Sequence, residues 1–312
     1  MVKRLQNKVS ESRMALPITL CYVVGMWLMG GLIKEQLWLQ FACFLLTTYL
    51  MVELNNSNAL IRIYSRMVSV AFLMLSCMAF FLFPSLPGNF TQLCVVAACL
   101  VLFRSYQDKA SAGLTYYGFV FVGLASLTFI HILIYVPILW ALMLTRLQTL
   151  SWRTFLASLL GIITPYWLGS CWMIYQEDFT WLINHFALLM DFGLPFDFSI
   201  LNTGQIATFA FLIVLAVIGT VHFWRTSTYD KIRIRQLFSI FIWIDFLTTI
   251  FICLQPQYFD MLIRIMIINT APLIGHYIAL THTKVTNITF CVISIIALVL
   301  TGYNLWMSSS LF

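Results

Sequence analysis

Residues 113–145 read GLTYYGFVFVGLASLTFIHILIYVPILWALMLT, and this apolar run decides the number of helices in the fold. As one α-helix it would be about 50 Å long at 1.5 Å per residue, whereas the hydrocarbon core of a bilayer is about 30 Å thick. Two short crossings joined by a turn at residues 128–131 therefore fit better than one strongly tilted helix. They also place Arg104, before the run, on the same side as Arg146, after it.

The composition of the chain points to a largely apolar solvent. Hydrophobic residues make up 62% of the 312 positions and charged residues only 9%, and the mean hydropathy is +0.94. Because an average soluble domain carries about 25% charged residues, so few charges cannot cover a water-facing surface of this size. Lipid also leaves no partner for an open strand edge. The sequence therefore predicts an all-α, polytopic membrane helix bundle.

About twenty mostly apolar residues are needed to cross the hydrocarbon core. By that criterion the chain has eleven candidate transmembrane helices, which we predict at 15–33, 37–54, 67–85, 88–103, 113–129, 131–147, 154–175, 204–224, 237–254, 261–280 and 288–307. The loops between them are short, so we expect residues 1–312 to form a single transmembrane domain. Compact loops of this kind are typical of the bacterial cytoplasmic membrane.

The positions of the basic residues predict the orientation. With residues 1–14 as a basic cytoplasmic tail, every Lys and Arg except Lys34 and Arg264 falls on the cytoplasmic side. A wrong number of spans would scatter these residues over both sides. We therefore predict a cytoplasmic N-terminus and an external C-terminus. Basic residues distributed in this way do not indicate nucleic-acid binding.

Residues 177–202 form an outer amphipathic loop that differs from the other loops in its length and its aromatic content. Residues 179–190 have helical length and too much apolar surface for free solution, so they predict an interfacial helix on the outer leaflet. Asp178, His185 and Asp191 in this loop are the candidate catalytic residues, because carboxylates and an imidazole can contact a lipid headgroup or perform acid–base chemistry. The alternative is a polar helix face turned to water.

Two charged residues fall inside predicted spans, where an ionised group costs about 2.5–3.5 kcal/mol. Asp245 lies in the middle of its span, and Arg264 lies in the outer part of the next one. Their depths differ by about 8 Å at 1.5 Å per residue, so a direct ion pair requires Arg264 to point inward. The two residues could fix helix packing, or they could form a proton relay or substrate site.

The remaining polar residues predict no cofactor and no metal site. The histidines are scattered without a paired ligand spacing, and the cysteines contain no C-x-x-C pair. The basic loop at residues 225–235 could hold anionic lipid headgroups, although its role in orientation already explains its charge.

The middle of the chain resembles known enzymes of lipid-linked sugars. A glycine-bearing span with Gly118 and Gly123 is followed by a span with Pro137, a short loop with Trp152 and Arg153, and a span that ends in GIITPYW at 161–167. This outline is similar to the middle of GT-C type glycosyltransferases and O-antigen polymerases, and it resembles an uncharacterised family of polytopic bacterial inner-membrane proteins. The resemblance implies a polyprenyl-phosphate-linked sugar as partner and a membrane glycosyltransferase-like activity.

The chain departs from these enzymes in its loops. GT-C enzymes carry an acidic motif in a sizeable first outer loop, whereas that loop here holds the single carboxylate Glu35. The polymerases carry arginines in a large outer loop, and residues 177–202 contain none. No catalytic residue is therefore transferred from either family, and whether the chain is an enzyme stays open.

Three functions compete at this level. The first is handling of a lipid or lipid-linked glycan at the outer leaflet, through Asp178, His185 and Asp191. The second is a transporter or flippase that uses Asp245 and Arg264. The third is a non-catalytic scaffold in a cell-envelope complex. Membrane lipids are the expected partners in all three.

Overall fold

The computed structural model describes residues 4–176 and 180–309 of the chain. Helix accounts for 83% of the structure, and no strand occurs among the described residues. This agrees with the predicted fold class, because only helices satisfy their backbone hydrogen bonds within one segment in an apolar solvent.

The described part of the chain forms thirteen α-helices, joined by short turns. In chain order they are α1 Leu5–Ser10, α2 Ala15–Met29, α3 Trp38–Asn58, α4 Met67–Met78, α5 Leu86–Arg104, α6 Ala112–Thr128, α7 Tyr135–Leu142, α8 Trp152–Gln176, α9 Thr180–Ala187, α10 Thr203–Thr226, α11 Ile232–Leu254, α12 Phe259–Leu280 and α13 Lys284–Ser309. A 3-10 helix, Ile130–Ile134, precedes α7, and a π-helical turn, Met143–Leu147, continues it.

The structure divides the long apolar run at the predicted place. Helix α6 ends at Thr128, and the extended backbone of Phe129, with φ −142°, separates it from the 3-10 helix that leads into α7. The prediction of two helical segments in this run is therefore confirmed. Each segment is close to the minimum length for a crossing.

Seven helical segments of the described chain are long and apolar enough to cross a membrane. They are Leu86–Arg104, Ile130–Leu147, Trp152–Cys171, Thr203–Tyr229, Ile232–Leu254, Pro256–Leu280 and Lys284–Met307. Three of the other predicted spans coincide with the shorter apolar helices α2, α4 and α6, and one coincides with α3, whose C-terminal end is polar.

Helix α12 occupies the centre of the bundle. It packs against α4, α5, α10 and α11, and almost all of its residues are buried. In contrast, α8 and α13 bury few of their residues and expose large apolar side chains such as Leu160 and Val299. The bundle thus buries the span that carries Arg264, Thr270 and His276 and leaves apolar side chains of the peripheral helices on its surface, as expected for a protein in lipid.

Helices α6 and α8 pack unusually closely because of two glycines. A Cβ atom on Gly123 would lie 2.8 Å from the backbone oxygen of Ile162, and one on Gly161 would lie 2.5 Å from that of Tyr116. Both distances are below any tolerated contact, so neither position accepts a side chain without movement of the helices. The close packing of α6 and α8 therefore depends on glycine at both positions.

The residues predicted as a basic tail are partly folded onto the bundle. Helix α1 lies against the C-terminal end of α12, where Gln6 Nε2 donates to the backbone oxygen of Ile278 at 2.7 Å and Asn7 Nδ2 donates to that of Thr281 at 3.0 Å. These amides satisfy carbonyl groups that have no partner at the end of a helix. The segment therefore caps α12 in addition to carrying positive charge.

Candidate functional site

An apolar cleft of about 440 Å³ lies between α7, α11 and the segment that connects α9 to α10. We call residues 180–202 the outer segment, after their predicted side. The walls of the cleft are apolar, apart from one tyrosine and one glutamine. They are formed by Ile134, Tyr135, Ile138, Phe192, Pro195, Leu247, Ile250, Phe251, Leu254 and Gln255.

The outer segment is fastened over one end of the cleft by hydrogen bonds to the α11–α12 connection. Gln255 Nε2 donates to the backbone oxygen of Gly193 at 3.2 Å, and the Phe196 amide donates to that of Cys253 at 3.2 Å. The backbone oxygen of Asp191 accepts from Gln257 Nε2 at 3.2 Å and from the Tyr258 hydroxyl at 2.5 Å. These bonds hold the two outer-segment residues of the cleft wall in place.

Polar groups lie behind the apolar wall at the deep end of the cleft. The Tyr135 hydroxyl is 2.9 Å from Thr248 Oγ1, which itself donates to the backbone oxygen of Ile244 at 2.7 Å. The tyrosine is therefore the donor of the first bond. Thr248 stands one turn beyond Asp245 on α11, so the wall of the cleft separates an apolar space from a buried carboxylate.

Asp245 is 3% exposed, and its carboxylate accepts a hydrogen bond from Thr270 Oγ1 at 3.0 Å. Among the described residues no cation lies within ion-pair distance of it. A carboxylate with one hydroxyl partner in an apolar bundle is costly to ionise.

Arg264 is turned away from Asp245, toward α5. Its guanidinium donates to Asn89 Oδ1 at 3.0 Å, to Gln92 Oε1 at 3.4 Å and to the backbone oxygen of Leu82. Gly88 leaves the space that the guanidinium occupies. The direct ion pair between Asp245 and Arg264, one of the alternatives left open by the sequence, is therefore not formed.

The structure gives two of the three candidate catalytic residues, His185 and Asp191, different partners. Asp178 lies outside the described residues. His185 is buried and its Nε2 donates to the backbone oxygen of Ser126 at 2.9 Å, beside the ring of Trp181, whose centroid is 4.7 Å away. Asp191 instead faces the α11–α12 connection through its backbone oxygen. His185 and Asp191 therefore contact different parts of the bundle.

The environment of His185 disfavours its charged form. Burial lowers the pKa of its imidazole below the ordinary value, and the hydrogen bond with the Ser126 carbonyl opposes that shift only in part. The neutral ring fastens α9 to the end of α6.

A second histidine, His131, lies beside the cleft wall. It is 2% exposed, its ring is 4.0 Å from that of Tyr258, and 5.8 Å from that of Phe192 in the cleft wall. Its Nε2 atom has no hydrogen-bond partner in the structure. The sequence placed His131 in the turn after α6 but carried no signal that joins it to residues on the other side of the bundle.

A buried pair at the opposite end of α12 was not predicted from the sequence. His276 Nε2 lies 3.2 Å from Asp230 Oδ2, and Arg62 Nη1 lies 4.0 Å from the other carboxylate oxygen. The three residues come from separate segments. Their shared location on the predicted cytoplasmic side was the only available sequence signal, and it does not specify contact.

No protein-family model, curated protein or solved structure matches this chain. The fold and the composition define the class of the protein as a helical membrane protein with several apolar helices of spanning length.

Proposed function

We propose that this protein binds a lipid or lipid-linked substrate, whose chain lies in the cleft between α7 and α11 and whose headgroup lies beside the outer segment. The observation that carries the proposal is the cleft itself, an apolar space of about 440 Å³ bounded by two helices of spanning character. A space with almost no polar wall suits a hydrocarbon or isoprenoid chain, because a polar ligand would lose its hydrogen bonds there.

The headgroup supplies the selectivity in this proposal. Lipid tails are as apolar as the cleft wall, so transfer of a chain from the bilayer to the cleft gains little from the hydrophobic effect. Polar groups at the outer end of the cleft then decide which lipid is retained. The groups that line or adjoin this end are the amide of Gln255, the hydroxyl of Tyr258 and the imidazole of His131.

The exposed surface of the outer segment supports its proposed position in the outer leaflet. Ile183, Met190 and Leu194 are 68%, 81% and 77% exposed. Such a set of apolar side chains is costly in water and favourable at the boundary of headgroups and acyl chains.

The proposal includes the predicted topology of eleven spans, a cytoplasmic N-terminus and an external C-terminus in a bacterial cytoplasmic membrane. Its support is that each predicted span coincides with a helical segment of the structure. The separation of Lys and Arg between the two sides supports the orientation. The resemblance to enzymes of lipid-linked sugars makes a polyprenyl-phosphate-linked sugar the first substrate to test.

Native mass spectrometry of the protein extracted with its own lipids tests the proposal. In Ile250→Trp the larger ring fills the cleft, and we expect the retained lipid to fall about tenfold, equivalent to roughly 1.4 kcal/mol. Ile295→Trp is the matched control, because Ile295 is an exposed isoleucine of α13 outside the cleft. Equal retention by the wild type and both variants would overturn the proposal.

A transporter or flippase is the second candidate, and the burial of Asp245 favours it. An acid held by a single hydroxyl inside a bundle is an arrangement that proton relays use. Substitution of Asp245 distinguishes transport from lipid binding in the cleft.

A further inference from the structure

A second cavity, of about 600 Å³, lies at the other end of the α7 segment. It is bounded by the loop between α5 and α6 and by the turn that follows the π-helical residues Met143–Leu147. Its lining consists of Gln107, Lys109, Leu144, Gln148 and Leu150, so it combines polar and apolar walls. It does not overlap the cleft described above.

The backbone around this cavity has three uncommon features. Gln107 and Gln148 both adopt left-handed conformations, with φ values of 61° and 56°. Residues other than glycine rarely do so, and such positions cluster at functional sites. The π-helical turn directly before Gln148 is a third feature that is frequent at functional sites.

The two left-handed residues are held together across the cavity. The Gln107 amide donates to the backbone oxygen of Leu147 at 2.8 Å, and the side-chain Nε2 of Gln107 lies 3.4 Å from Gln148 Oε1. The side-chain contact is long and both side chains are exposed. A ligand with acceptor oxygens can therefore replace it at low cost.

The charge at the cavity favours an anion. Lys109 makes no ion pair among the described residues, whereas the nearby Arg104 is engaged by Glu53 at 3.6 Å. Asp108, the acid next to Lys109 in the chain, accepts from the Ala110 amide at 2.9 Å within its own loop. The amine of Lys109 is thus available at the mouth of the cavity.

We propose that this cavity binds the phosphate headgroup of an anionic membrane phospholipid. Lys109 binds the phosphate, the amides of Gln107 and Gln148 donate to its oxygens, and Leu144 and Leu150 contact the first carbons of the chains. Trp152, two residues after Leu150 in the chain, is 72% exposed, and exposed aromatic residues of this kind are enriched at membrane interfaces. Basic residues at this surface attract the anionic lipids of the cytoplasmic leaflet.

Titration of the delipidated full-length protein with phosphatidylglycerol and with phosphatidylcholine, followed by native mass spectrometry, tests the site. We expect preferential binding of phosphatidylglycerol by the wild type. Loss of one basic group in Lys109→Gln should weaken that binding about fivefold. Lys284→Gln removes an exposed lysine at the start of α13, on the same predicted side, and should leave the binding unchanged. Equal affinities of Lys109→Gln and the wild type would overturn the proposal.

A second variant separates ligand binding from backbone strain. Gln148→Gly removes both the amide donor and the unfavourable left-handed side chain. We expect weaker binding of phosphatidylglycerol together with a higher melting temperature. Unchanged lipid binding in this variant, or complete displacement of the lipid by an excess of inorganic phosphate, would exclude a lipid headgroup site.

Discussion

Asp245 and Arg264 are both buried within long helices of the bundle, and they are stabilised in different ways. Arg264 has three acceptors around its guanidinium, and each hydrogen bond to a charged group contributes about 1.5–3 kcal/mol. Asp245 has only the hydroxyl of Thr270. Arg264 therefore has a structural role, because its hydrogen bonds attach α12 to α5. Asp245 has fewer hydrogen bonds than a buried carboxylate needs. Helix packing alone therefore does not explain why Asp245 is an acid.

Asp245→Asn tests that role. The amide has almost the same volume and can still accept from Thr270, so we expect a change in the free energy of unfolding of no more than about 1 kcal/mol. Lipid retention in the cleft should stay at the wild-type level, since the carboxylate lies behind the wall.

The measurements for this variant are thermal unfolding, native mass spectrometry and proton-coupled uptake in vesicles. Loss of uptake with intact lipid retention would establish transport and make Asp245 its proton-binding group. Thr249→Val, which removes a neighbouring hydroxyl that bonds only to the Asp245 backbone oxygen at 2.9 Å, is the matched control.

At the scale of elements, the outer segment is attached to two parts of the bundle. Its first half is fastened to α6 through His185 and Ser126, and its second half to the α11–α12 connection through Asp191 and Gly193. Each attachment uses few hydrogen bonds and leaves large apolar side chains exposed. The segment can therefore open locally at a lower free energy than the helices beneath it.

Acidification should weaken the attachment of α9. Burial lowers the pKa of His185 in the docked state, so the undocked state binds more protons as the pH falls through the ordinary value of about 6.5. Stability of the docked helix is therefore present above that pH and lost below it.

Hydrogen exchange of residues 180–190, corrected for the intrinsic rate, measures this effect. We expect protection near pH 7.5 and a clear loss of it near about pH 5.5. His185→Gln cannot gain a proton in this range, so its protection should be independent of pH. A wild type with equal protection at both pH values would show that the imidazole does not control docking.

The whole molecule is organised around α12, the most deeply buried of its described long helices. Helix α12 carries Arg264, Thr270 and His276, and its neighbours cover all three. The apolar helices at the periphery then face the lipid. The bundle differs from a soluble one in its apolar surface. In both kinds of bundle, buried polar groups are paired inside the protein.

Cysteine labelling tests the orientation of the bundle. Ser199→Cys lies in the outer segment and Thr228→Cys in the basic loop, so the single helix α10 separates them. We expect a membrane-impermeant maleimide to label the first in intact cells and the second only after permeabilisation. The unmodified chain, with its native cysteines, is the control. The reverse pattern would contradict the proposed orientation, and labelling of both from one side would contradict a crossing by α10.

The sequence by itself determined that this protein has a largely apolar environment, and it determined where the helices lie along the chain. Both depend on properties that are local in the chain, namely the length of an apolar run and the spacing of charges, so the division of residues 113–145 could be predicted. The helical character of the outer segment followed from the same signal.

Only the tertiary structure decided which polar groups meet. Arg264 binds Asn89 instead of approaching Asp245, His185 and Asp191 separate, and Asp230 joins His276. The cleft also exists only because α7, α11 and the outer segment pack around it. These contacts join residues far apart in the chain, and they depend on the rotation of each helix about its axis. A nearly uniform apolar surface leaves that rotation unspecified, so packing between helices has to decide it.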